Sequence, residues 1–208
     1  MDSMVMLVLT ILGVLLLGWV FRGVRLYKSY RGDIYEALYG SFLPYFYRYV
    51  VIRDCSQSGY LRGQIGAHRI VFSAITNDEK QRTQFCMIFY NKGIMVICYD
   101  KAPGEYRGKP EGKSWNVVRT GQDGKEHIYR RPNPTKDIRA YLNRIVATFP
   151  DVHIEARLAF CDSADVSRLT SEIKAIHFNE IEGELKAVKA EFLPDDEVKA
   201  MYQKLIQK

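Results

Sequence analysis

TQFCMIFYNKGIMVICYDKAPGEYRG, residues 83–108, is the stretch whose reading decides the fold. Two apolar runs flank Asn91-Lys92-Gly93, and Gly93 falls where a three-residue hairpin loop needs a left-handed residue. That turn opposes Tyr90 to Ile94 and, in the same register, Cys86 to Cys98. One face would then carry Cys86, Ile88, Tyr90, Ile94, Val96, Cys98 and Asp100, and the other Met87, Phe89, Met95, Ile97 and Tyr99. Both faces are largely apolar, so the strands are expected in the interior of an α/β layer fold, covered on two sides. Directly opposed residues on antiparallel strands lie ~4.5–5.5 Å apart, close enough for a strained disulfide or a soft-metal pair. The favoured reading is two small buried side chains filling space.

Downstream, APGEYRGKPEGKSW reads as a glycine- and proline-rich loop, and NVVRTGQDGKEHIYRRPN as a short hairpin turning at GQDGK. NPTKDIRAYLNRIVATFP predicts a helix, with Asn133 as N-cap, Pro134 at the first helical position, and Ile138, Tyr141, Leu142, Ile145 and Val146 at helical spacing. VHIEARLAFCD and KAIHF read as strands, and the tail from Glu180 as polar helices separated at LPDD. Upstream, a helix carrying Ile34, Leu38 and Phe42 is expected to break at Leu43-Pro44. YRYVVIRDC reads as a strand, and another is expected at Arg69–Ile75, closed by the turn-forming TNDEK.

The N-terminus is of another kind. Met4 to Phe21 is an 18-residue run without a charge, just long enough to cross a hydrocarbon core of ~30 Å. The preceding MDS has no basic residue, whereas Arg22, Arg25, Lys28 and Arg31 follow, with Trp19 and Tyr27 near the expected interface. This predicts an uncleaved single-pass anchor over residues 1–24. The remainder would lie in the cytoplasm of a bacterial cell, beneath the inner membrane: a domain over 25–180 and a helical tail over 181–208. Charge is uneven: residues 22–149 hold 22 Lys/Arg against 11 Asp/Glu, and residues 150–208 hold 8 against 12. A basic middle suits an anionic leaflet or a nucleic acid. The four cysteines lack C-x-x-C spacing, which points to reduced thiols and no zinc signature, and the four histidines share no ligand spacing.

Four landmarks in order carry a resemblance: Gly32-Asp33-Ile34-Tyr35-Glu36 on an opening helix; Thr83-Gln84-Phe85 leading to Gly93-Ile94-Met95-Val96-Ile97; Gly104 to Gly108 followed by Trp115; and Asn133-Pro134. Over residues 30–180 the chain resembles the nuclease-related domain (NERD) family, itself similar to restriction endonucleases. The resemblance implies a mixed sheet flanked by helices. It also implies a divalent-metal centre built from carboxylates and a lysine. In this chain Cys86 stands where the family has aspartate, Cys98 and Asp100 stand for its glutamate-x-lysine, and Lys101 comes one step late, leaving Glu36 in register. Thiols are poor partners for Mg²⁺ or Mn²⁺. The resemblance therefore implies a degenerate centre without cofactor, in a membrane-tethered module that binds nucleic acid or a protein partner. Arg107, Lys109, Lys113, Arg130 and Arg131 are the candidate nucleic-acid contacts. The alternatives are a Mg²⁺- or Mn²⁺-dependent nuclease rebuilt from Glu36, Asp100 and Lys101, and a purely structural subunit of a membrane complex.

Overall fold

A computed structural model describes residues 3–76 and 82–207. Helix α1 (Ser3–Tyr30) is followed by α2 (Ile34–Tyr39), α3 (Phe42–Phe46), a π-helical stretch at Tyr47–Ile52 and α4 (Gly59–Ile65). Strands β1 (His68–Thr76), β2 (Arg82–Tyr90) and β3 (Gly93–Asp100) come next, then β4 (Gly104–Gly108), β5 (Ser114–Thr120) and β6 (Glu126–Pro132). After α5 (Thr135–Thr148) come β7 (Ile154–Phe160), β8 (Ala164–Leu169), β9 (Ala175–His177), α6 (Ile181–Ala187) and α7 (Asp195–Ile206). The architecture is α/β with two mixed sheets. One has the order β1-β2-β3-β7-β9 and the other β6-β5-β4-β8. The β3–β7 and β7–β9 pairs are parallel, as is β4–β8.

Helix α1 is long and apolar enough to cross a membrane, with a mean hydropathy of 2.7 over its best window and none of that window buried against the rest of the chain. The helix runs on through Arg22 and Arg25 to Tyr30, beyond the expected anchor boundary.

The five-stranded sheet is the core, and β2 and β3 are buried along nearly their whole length. Helices cover it on both faces, as the two apolar faces demand. Phe85 stacks on Tyr141 of α5 at 4.7 Å, and Phe89 meets Phe149 and α7 Tyr202 edge-on. On the other face Tyr35 of α2 packs on Phe72 at 4.8 Å, and Arg157 of β7 bonds Glu184 of α6. Both tail helices dock on this domain through Leu185, Val198 and Met201.

The hairpin register corrects the sequence reading. Tyr90 pairs with Gly93, Phe89 with Ile94, Cys86 with Ile97 and Phe85 with Cys98. The loop is therefore Asn91-Lys92, one residue shorter than expected, and a one-residue slip moves an entire strand's side chains to the opposite face. Cys86, Ile88, Tyr90, Met95, Ile97 and Tyr99 share one face, while Phe85, Met87, Phe89, Ile94, Val96, Cys98 and Asp100 share the other. Gly93 does take a positive φ, +118°, and any Cβ there would collide with the carbonyl oxygen of His153, which accepts from Ile94 N–H at 2.9 Å.

Four further expectations change. Tyr47–Ile52 is π-helical and not a strand: Val50 is buried, while Tyr47, Tyr49, Val51 and Ile52 face outward from a helix that continues α3. The helix break falls at Gly40, φ +71°, and α3 runs through Pro44, because a proline in a helix's first turn has no intrahelical N–H to lose. Asn133 sits one residue before the N-cap position, held by Pro134, although its Oδ1 still accepts from Thr135 N–H at 3.0 Å. The glycine-spaced loop contains a strand, β4, whose pairing with β5 and β8 starts the second sheet. The strands expected at Arg69–Ile75, at VHIEARLAFCD and at KAIHF, the GQDGK hairpin and the α6–α7 break are found as read. The turn residues 77–80 lie outside the described residues.

Candidate functional site

At the C-terminal end of β3 the chain passes between two concave regions. Asp100 and Lys101 are consecutive, so their side chains leave the strand on opposite sides. Lys101 Nζ reaches Asp33 Oδ2 at 3.1 Å, in a cleft of about 750 Å³ also lined by Glu36, Cys161, Asp162 and Asn179. Asp100 lines a different pocket of about 110 Å³ with Thr83, Gln84, Cys98, Trp115 and Arg131. Glu36 and Asp100 thus open into separate cavities.

Local structure accounts for each carboxylate. Asp33 is the N-cap of α2, with extended backbone, and its Oδ1 accepts from Ile34 N–H at 2.7 Å. Glu36, three residues on, accepts from Gly32 N–H at 2.7 Å. Asp33 thus satisfies the first N–H that the start of α2 leaves orphaned, while Glu36 holds the N–H of the residue before the cap. Asp162 accepts from Asn179 N–H at 3.0 Å, fixing the β7–β8 turn against the 3₁₀ turn before α6. Asp100 accepts from Ala102 N–H at 2.9 Å and lies 3.6 Å from Arg131 Nε. Among the described residues, no three His, Cys, Asp or Glu side chains are grouped so as to hold a metal ion.

The cysteines do not replace the carboxylates. Cys86 and Cys98 are fully or almost fully buried, on opposite faces of the sheet, so the expected opposed pair does not exist. Burial pushes both thiols far above their ordinary range and holds them protonated. Neutral thiols facing away from each other offer nothing to Mg²⁺ or Mn²⁺, and the residues present do not fit the metal centre that the resemblance implies.

The five candidate basic residues are likewise dispersed. Arg107 makes a two-point pair with Glu105, at 2.9 and 2.6 Å, and Arg168 reaches the same carboxylate at 3.0 Å. Arg131 opposes Trp115 and Arg130 opposes Asn116, so adjacent arginines point to opposite faces of β6. Arg131 lies over the Asp100 pocket, while Lys109, Lys113 and Arg130 are exposed. The loop carrying the two lysines is fixed by Asn133, whose Nδ2 donates to the carbonyls of Pro110 (2.8 Å) and Gly112 (2.7 Å).

The glycine-and-tryptophan landmark is structural. Gly108 lies so close to the Trp115 indole that a Cβ there would overlap the ring, and Trp115 packs into the core on Phe160. Sequence reasoning missed Asp33 and Asp162 as cleft residues. For Asp33 a signal existed, since aspartate followed three residues later by glutamate before apolar residues marks a helix start. For Asp162 there was none, because it reaches the cleft through a turn that pairs with residues far along the chain. No family model matches the chain, and neither a curated protein nor a solved structure matches it significantly.

Proposed function

We propose that this chain is a membrane-tethered binding module built like a nuclease-related domain, acting without hydrolysis. The observation that carries the reading is the divergence at the end of β3. Lys101 goes to Asp33, Asp100 goes toward Arg131, and the two buried thiols lie on opposite faces. A phosphodiesterase centre needs oxygen ligands converging on one ion with a base or lysine beside it. Here Asp33 instead caps α2 and Glu36 accepts from the Gly32 N–H before it. The apolar α1, followed by basic residues, supports a tether at the inner membrane with the domain on the cytoplasmic side.

The ligand class favoured by the charge distribution is nucleic acid, bound through backbone phosphates by the exposed Lys109, Lys113 and Arg130. The direct test is fluorescence anisotropy of labelled DNA and RNA duplexes and single strands, with the full-length protein in nanodiscs of zwitterionic lipid. Affinity should fall steeply with salt, and neutralising Lys109, Lys113 and Arg130 together should flatten the slope by about 2 to 3 in log–log units. Binding that is absent at 50 mM salt would exclude the nucleic-acid ligand.

One observation favours a protein partner as the second reading. Strand β6 is an open edge, exposed along nearly its whole length, with Ile128 and Tyr129 at the surface. Such an edge can accept a strand from another chain.

A further inference from the structure

The segment FLPYFYRYVVI, residues 42–52, is the surface least like that of a water-facing domain. Leu43 is 75% exposed, and Tyr47, Tyr49, Val51 and Ile52 are exposed beside it. Its neighbour is α1. Phe42 packs edge-on against Tyr27 at 5.2 Å, and Phe46 reaches Trp19 at 5.9 Å and would lie 3.8 Å from a Cβ added at Gly23. Successive turns of α3 therefore descend α1 from Tyr27 to Trp19. Trp19 lies inside the uncharged run, about 4.5 Å below Arg22 at 1.5 Å per residue. A helix that touches α1 at Trp19 shares its depth.

From this we infer that residues 42–52 form a second membrane contact, lying in the headgroup–acyl boundary with Leu43, Tyr47, Val51 and Ile52 turned to lipid. The inference rests on α1 spanning the bilayer. Three features fit that occupant. The exposed side chains are aliphatic or tyrosine, the composition favoured at the interface. Arg48 and Arg53 interleave with them, and Arg22 and Arg25 lie on the adjoining α1, so the apolar face is rimmed by charges suited to anionic headgroups. The backbone is helical throughout Phe42–Ile52, so most of its polar groups are satisfied internally, as lipid contact requires. The consequence is orientational: α1 alone would leave the domain free to swivel, whereas a second contact fixes which face looks away from the membrane.

The test uses the full chain in phosphatidylcholine–phosphatidylglycerol vesicles, in a Cys55→Ser background. An environment-sensitive fluorophore is placed at Leu43→Cys, Tyr47→Cys or Val51→Cys in turn. Leu12→Cys reports on α1, and Gln122→Cys, on the exposed β5–β6 turn, reports on water. The inference expects labels at 43, 47 and 51 to be quenched by nitroxide lipid at least half as strongly as at 12. They should also be several-fold less accessible to aqueous iodide than at 122. If the three labels behave like 122 while 12 is quenched by lipid, the inference fails and the tether stands. If they are shielded from both quenchers, the face is covered by protein and the lipid assignment is overturned. If 12 itself is not quenched by lipid, the tether fails and the inference with it.

Discussion

Replacing Gly93 with alanine tests the hairpin on which the site argument depends. At φ +118° an L-residue pays strain of roughly 1–2 kcal/mol. The new Cβ would also meet the His153 carbonyl oxygen, a backbone atom that cannot rotate away. Pushing that carbonyl aside breaks its bond from Ile94 N–H, worth about 1 kcal/mol net. Together these give roughly 2–3 kcal/mol, before any disturbance of the β3–β7 pairing. Gly124→Ala is the matched control, because its φ is +74° and nothing lies within 4 Å of an added Cβ. It should cost only the strain, roughly 1–2 kcal/mol. Urea unfolding of the full-length protein in mild detergent, followed by Trp115 fluorescence in a Trp19→Phe background, measures both. Equal losses for Gly93→Ala and Gly124→Ala would refute the close approach of β3 to the chain entering β7.

Three other outcomes are expected. Cys86 and Cys98 should resist a maleimide at pH 8 in the folded protein and form no disulfide with each other under a mild oxidant, whereas half-buried Cys55 should react. Peptide mass spectrometry reads this, and a Cys86–Cys98 crosslink would contradict it. His68 is buried and neutral, with Nε2 accepting from Ser58 N–H at 3.0 Å, and burial holds its pKa below the ordinary 6.5. Its contribution to stability is full above pH 6.5 and is lost as pH falls through the lowered value. Urea midpoints against pH should show that slope in the wild type and lose it in His68→Gln. Asn133→Ala should cost about 1–2 kcal/mol, in the range of lost helix caps, and should speed amide exchange in residues 109–113.

Much of the scaffold was legible because burial writes itself into composition. The uninterrupted apolar runs of β2 and β3, the Gly93 punctuation and the helical spacing of Ile138, Tyr141 and Ile145 each announce one element. The same property hid the register. With both faces of the hairpin apolar, no polar residue marks which side each strand presents, so the choice fell to loop length, and one residue decided it. At 47–52 propensity misled, since Tyr, Val and Ile suit a strand but also suit a helix whose outer face meets something apolar. Context set by α1 decides between them, and local sequence does not contain it. The site was the least legible part. The fates of Glu36, Asp100 and Lys101 depend on where strand ends and helix caps meet in space, and motif order is silent on that.

The proposal turns on whether the chain holds a divalent metal of the kind that nuclease-related domains use. Isothermal titration of the full-length protein with Mn²⁺, run beside cleavage of single- and double-stranded DNA, tests it most directly. The account predicts no saturable heat and no cleavage. Stoichiometric Mn²⁺ binding, with cleavage that Asp100→Ala or Lys101→Ala abolishes, would contradict it and show that the two diverging side chains converge on a metal after all.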